Sequence, residues 1–190
     1  MSGSRPAVLF DRDGVLVRAL VRDGRPYPPR SLPELRLDED APDAVRRLTE
    51  AGWGVAVVTN QPDVPRGLMT EETVHRINGA VADGLGLSTR SFFTCFHDDD
   101  SGCACRKPGP GLLVEAARGL GADLAHCTVV GDRWRDIGAA HRAGCRAVWI
   151  DRGYRERAPR PPYERVTSTA AAVDLILGGQ PSAAAGRMPR

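Results

Sequence analysis

At 190 residues the chain is long enough to bury one sizeable core and short for two. Apolar residues at 42% and charged residues at 26% are ordinary for a globular domain, and a net charge of +2 gives no strong pull toward nucleic acid or an acidic membrane. No apolar run approaches the roughly 18 residues of a membrane span, and MSGSRPAVLF at the start carries no export signal, so a cytoplasmic protein is expected whose clustered cysteines suit metal better than disulfides.

In chain order, AVLF (7–10) is a compact apolar run that ends in the acids of DRDG. Residues 17–40, with RDGRPYPPRSLPEL at their centre, are rich in proline, arginine and glycine and read as a loop. DAVRRLTEAG (43–52) places Ala44, Val45, Leu48 and Ala51 near one helical face. GVAVVT (54–59) is a second buried-strand run. Thr70 then caps a helix through TEETVHRINGAVADGLG, with Glu71 and Glu72 in its first turn. FFTCF (92–96), CTVVG (127–131) and RAVWI (146–150) read as further strands, and 111–121, 135–144 and 169–179 as helices. Continuous apolar strands alternating with helices predict an α/β fold with a mostly parallel sheet, a Rossmann-like three-layer sandwich. Residues 1–178 form one domain in this reading, and the small, polar stretch 179–190 is expected to be a disordered tail.

Open α/β sheets bind ligands at the carboxyl ends of their strands. The residues that follow each run are Asp11 and Asp13, then Thr59 and Asn60, then Asp132 and Asp136, with Arg106 and Lys107 ahead of the helix at 111. Paired acids, a hydroxyl, an amide and a lysine on one sheet edge suit phosphoryl transfer through an aspartate. A carboxylate attacks phosphorus only if the repulsion between two anions is neutralised. Asp11, Asp13 and Asp132 are the expected magnesium site, with Asp136 in support. Lys107, Thr59 and Asn60 would meet the phosphate oxygens, and Asp13 would serve as acid and base. Taken alone, Asp-x-Asp-Gly or TNQP is an ordinary turn; their joint placement after three strands carries the reading.

The order DRDGV, TNQ, CRKP, VGDRWRD resembles the haloacid-dehalogenase-like phosphatases over residues 7 to about 155. The resemblance implies Asp11 as nucleophile, Asp13 as acid/base, Thr59 as the phosphate hydroxyl, Lys107 as the site lysine and Asp132 as the magnesium ligand. No large cap domain fits in the roughly forty residues between DRDG and the next strand, so an open site is expected.

TCFHDDDSGCACRKPGPG (94–111) brings Cys95, His97, Cys103 and Cys105 together as two ligand pairs. Three thiolates and an imidazole make a closed tetrahedral set, which is structural zinc. Zinc at this loop (95–105) would hold Arg106 and Lys107 over the phosphate site. Cys127 and Cys145 read as small buried residues.

Within the family, a zinc loop beside CRKP resembles the enzymes that remove the C7 phosphate of D-glycero-D-manno-heptose 1,7-bisphosphate, and also the histidinol-phosphate phosphatases. Pro62, Asp63 and Pro65 depart from the usual residues of the heptose branch. Arg66, Arg106 and Arg133 on the strand-end loops could receive the second phosphate of a sugar bisphosphate, whereas Asp98–Asp100 could receive the cationic groups of histidinol phosphate. A small sugar phosphate is thus the expected partner, with no nucleic acid or membrane, and a monomer is expected. A phospho-receiver domain shares the acids, hydroxyl and lysine but lacks the Asp-x-Asp pair and the zinc loop.

Overall fold

The computed structural model describes residues 5–178. The tail 179–190 therefore lies outside the described residues.

A six-stranded parallel sheet runs through the molecule. Its strands are β1 (Ala7–Phe10), β4 (Gly54–Asn60), β5 (Phe92–Cys95), β6 (Cys127–Gly131), β7 (Arg146–Ile150) and β8 (Glu164–Val166), in the order β5-β4-β1-β6-β7-β8. β1, β4 and β6 are buried along nearly their whole length, as their unbroken apolar sequences predict. Strand β1 is central, with β4 on one side and β6 on the other. That reversal of strand order is where an α/β sheet opens a ligand crevice.

Among the described residues five α-helices cover the two faces: α1 (Ala41–Glu50), α2 (Glu71–Leu85), α3 (Gly111–Leu120), α4 (Trp134–Ala143) and α5 (Thr169–Gly178). On one face Leu48 of α1, Ile77 and Val81 of α2 and Val173 and Ile176 of α5 pack with Val8, Phe10 and Val57. On the other, Leu112 and Leu113 of α3 and Ile137 of α4 pack with Leu9, Val58 and Val129. A Leu of this kind is worth about 2–3 kcal/mol in burial. Thr70 caps α2 by accepting from the Thr73 amide at 3.1 Å, as its sequence predicts. No helix among the described residues is long and apolar enough to cross a membrane.

Two differences from the sequence reading matter for the site. Residues 17–40 are not all loop: Leu20–Arg22 (β2) and Arg25–Tyr27 (β3) pair as an antiparallel hairpin. Its two-residue turn, Asp23-Gly24, has positive φ at both positions (50° and 75°), the geometry that matches strand twist. Pro26 masks that signal in sequence, because proline normally argues against a strand; an isolated ribbon has free edges that tolerate it. The short strand β8 was also missed, since Glu-Arg-Val carries too little apolar pattern to register.

Candidate active site

The carboxyl ends of β1, β4 and β6 deliver their polar residues to one point. Lys107 is buried there, and its Nζ lies 2.7 Å from Asp11 Oδ1 and 2.7 Å from Asp136 Oδ1, while donating to the Val58 carbonyl at 2.8 Å. The Lys107 backbone is locked in turn by Asn60, whose amide donates to the Lys107 carbonyl at 3.0 Å and accepts from its N–H at 3.1 Å. The Asn60 side chain is thereby committed to holding the lysine. Asp136, in the first turn of α4, caps that helix through the Arg133 amide (3.0 Å) and grips the lysine with its other oxygen.

Asp11, Asp132 and Asp136 bring one carboxylate oxygen each within 4.8 Å of one another. Asp132 is 3% exposed, and neither of its oxygens has a hydrogen-bond partner of normal geometry among the described residues, although the Tyr154 hydroxyl is nearby. Two buried carboxylate oxygens without a hydrogen bond of normal geometry, beside two further acids, suit a cation. The set is all oxygen, so a hard ion such as magnesium fits it. Gly14 forms the floor of this cradle: at φ +91° it lies so close that a Cβ would stand 1.8 Å from Asp132 Oδ2. Without an ion, burial and the charges of Asp11 and Asp136 raise the Asp132 carboxyl well above its ordinary range. Burial also raises Asp11, to about 7, against the opposing pull of Lys107. Burial disfavours the Lys107 charge, but Asp11 and Asp136 outweigh it and hold the lysine above its usual value.

The Asp13 carboxylate stands outside the three-acid cluster. It is held by a two-pronged contact from Arg12 and by the Gln61 amide, which donates to Asp13 Oδ2 at 2.8 Å and to Thr59 Oγ1 at 2.9 Å. Thr59, Asn60, Asp11, Asp13 and Lys107 all border one open cleft of about 640 Å³.

Of the three arginines singled out in the sequence, Arg66 and Arg133 line this cleft and Arg106 does not. Arg106 turns into its own loop, to Asp99 (3.1 Å) and the His97 carbonyl (3.1 Å). Arg66 forks onto Asp98, and Arg133 is paired with Glu156. The hairpin, the residues just after it and the 152–157 segment supply cleft residues that sequence reasoning missed: Arg25, Tyr27, Arg30, Arg155 and Arg157. They come from segments without a chemical motif, and the Arg155 amide bound to the Gly24 carbonyl (2.8 Å) is what joins them.

Cys95, His97, Cys103 and Cys105 converge as a second cluster. Sulfur–sulfur distances are 3.4, 3.4 and 3.9 Å, and His97 Nδ1 lies 3.5 and 3.2 Å from Cys95 and Cys105. Thiolates at about 2.3 Å and an imidazole at about 2.0 Å from a tetrahedral zinc stand roughly 3.5–3.8 Å apart. The residues fit that ion, and the loop runs directly into Arg106 and Lys107. Cys127 and Cys145 are buried elsewhere in the core.

The HAD-hydrolase-like family matches residues 104–174. The chain is 35% identical to D-glycero-beta-D-manno-heptose-1,7-bisphosphate 7-phosphatase of Pseudomonas aeruginosa over 92% of its own length and 98% of that protein. It is 43% identical to the enzyme of the same name from Bordetella bronchiseptica over 56% of its length and 61% of that protein. The crystal structure of D,D-heptose 1,7-bisphosphate phosphatase from B. bronchiseptica, complexed with magnesium and phosphate, superposes with a TM-score of 0.77 at 31% identity, covering 92% of this chain and 99% of that one. A Mesorhizobium loti structure described as a putative HAD-like phosphatase gives 0.71 at 29% identity, covering 90% and 84%. With its parallel sheet, its strand-end acids and a relative matched along almost the whole length, the chain belongs to the haloacid-dehalogenase-like phosphatases.

Proposed function

We propose that this chain hydrolyses a phosphate monoester through a phosphoaspartyl intermediate on Asp11, and that its substrate is a D-glycero-D-manno-heptose 1,7-bisphosphate losing the C7 phosphate. The observation that carries the reading is Lys107 wedged between Asp11 and Asp136 beside the unpartnered oxygens of Asp132. A magnesium ion held by Asp11, Asp132 and Asp136 would neutralise the phosphate charge there. Lys107 favours the ionised form of Asp11 and aims its carboxylate, and Thr59 offers a hydroxyl to the phosphate oxygens.

In the first step an Asp11 carboxylate oxygen bonds to phosphorus, the bond from phosphorus to the sugar oxygen breaks, and the departing oxygen takes the proton of Asp13. In the second, the Asp13 carboxylate takes a proton from water as its oxygen bonds to phosphorus. The bond to Asp11 breaks, and orthophosphate leaves. The net reaction is ester plus water to alcohol plus phosphate.

The bisphosphate reading draws support from the cleft. Among the described residues, Arg25, Arg155 and Arg157 line it without a carboxylate partner, so they can receive a second dianion. Histidinol phosphate is disfavoured because Asp98 and Asp99, the acids that would meet its cations, are already occupied by Arg66, Arg106 and Arg135. Zinc on Cys95, His97, Cys103 and Cys105 belongs to the same proposal, as a structural ion.

Phosphate release with magnesium from the two heptose 1,7-bisphosphate anomers and from histidinol phosphate, measured side by side, tests this. A preference for a heptose bisphosphate that vanishes in Asp11→Asn is expected. Preference for histidinol phosphate overturns the substrate, and full turnover by Asp11→Asn overturns the mechanism.

A further inference from the structure

Arg12 stands between the two acids in sequence and takes no part in the steps above, yet its side chain is fully buried. Removing a guanidinium from water is costly, and an apolar side chain would fill the same space more cheaply. Each of its three nitrogens donates a hydrogen bond. Nε and one terminal nitrogen fork onto both oxygens of Asp13 at 3.0 and 2.9 Å, and the other terminal nitrogen donates to Asn78 Oδ1 at 2.7 Å. Asn78, 4% exposed within α2, donates onward to Thr94 Oγ1 on β5 at 3.2 Å. Gln61 donates to the same Asp13 Oδ2 that Arg12 meets and links it to Thr59.

We infer that Arg12 is a positioning residue for Asp13: backed by Asn78 and faced by Gln61, it fixes the plane of that carboxyl group relative to Thr59 and keeps it out of the cation cluster. This rests on the phosphatase reading. Asp13 is two residues from Asp11, and Asp11, Asp132 and Asp136 form a group that attracts cations. A carboxylate drawn onto the ion would be turned away from the leaving oxygen. The fork prevents this because two parallel N–H donors fix both the direction and the plane of a carboxylate, which a single ammonium does not. The chain of contacts through Asn78 anchors the fork to a rigid helix and a sheet strand.

The test compares kcat/KM with magnesium for an alkyl phosphate, whose leaving oxygen needs a proton, and for p-nitrophenyl phosphate, whose leaving group does not. This constant reports only the steps up to departure of the alcohol. Asp13→Asn should lose about 10²–10⁴-fold on the alkyl ester and far less on the aryl ester. Arg12→Met should show the same selectivity, with at least about a tenfold difference between the two esters, and Arg12→Lys should fall between Arg12→Met and wild type. Added to Asp13→Asn, Arg12→Met should cost less than about threefold, because the group it positions is already gone. Equal losses on both esters, or a full additional loss in the double variant, overturn the inference.

Folding is checked by circular dichroism and thermal melting. If Arg12→Met does not fold, Asn78→Leu decides, since it leaves the guanidinium in place and removes only its anchor. An ester-selective loss in Asn78→Leu supports the role, and an unselective loss or none overturns it. A wild-type protein that hydrolyses neither ester overturns the phosphatase reading itself, and this outcome is distinct from the others.

Discussion

Replacing Gly14 by alanine perturbs the proposed magnesium cradle through a single methyl group. The backbone at Gly14 has φ +91°, a conformation that costs an L-residue about 1–2 kcal/mol. The new Cβ would stand 1.8 Å from Asp132 Oδ2, 2.6 Å from Asp132 Cγ and 3.0 Å from the Tyr154 hydroxyl. Asp132 has little room to retreat, being buried with its carbonyl bound by the Trp149 indole at 3.0 Å. Either its carboxylate swings out of the cluster or the 12–15 turn shifts and carries Asp13 with it. Overpacking of this kind adds about 1–3 kcal/mol, so a total loss of about 2–5 kcal/mol in folding stability is expected. A displacement of about 1 Å at a reacting group costs roughly 10²-fold in rate. Urea denaturation with and without magnesium, alongside phosphate release, reads both effects: wild type should gain stability from magnesium and Gly14→Ala should not. A variant within about 0.5 kcal/mol of wild type that keeps its magnesium response would refute the reasoning.

Cys105→Ser should lower the melting temperature and phosphatase activity together, because the loop proposed to hold zinc leads within two residues to Lys107; unchanged activity after the measured loss of zinc would separate the two. Arg155→Ala with Arg157→Ala should raise KM for a sugar bisphosphate while leaving that for p-nitrophenyl phosphate unaltered, and an equal rise for both would remove the second-phosphate role. In metal-free protein the Asp11 carboxyl, raised by burial to about 7, ionises later in the folded state than in the unfolded chain, where it titrates near 3.9. Its contribution to stability is therefore complete below about pH 4 and lost as the pH rises to about 7. The stability of wild type relative to Asp11→Asn should fall across that window and the slope should vanish with magnesium, which parallel melts of the two proteins will show.

The sequence alone determined the parallel sheet and most of its helices, because buried strands such as GVAVVT and glycine-closed helices such as GLLVEAARGLG are local patterns. It also marked Asp11 and Asp132 as site candidates, since the residue after a buried strand falls at the ligand edge by geometry, and Lys107 by its place ahead of the helix at 111. What the site arginines do was decided only by the tertiary structure. Arg66 and Arg106 are taken up by acids of the 95–105 loop, while Arg25 and Arg155 reach the cleft from a hairpin and a loop about 130 residues apart in the chain. Arg12 gave no signal at all in sequence, because its meaning depends on Asn78, 66 residues away. A long charged side chain takes its role from whichever partner the packing brings near, and that partner is not written in its neighbours.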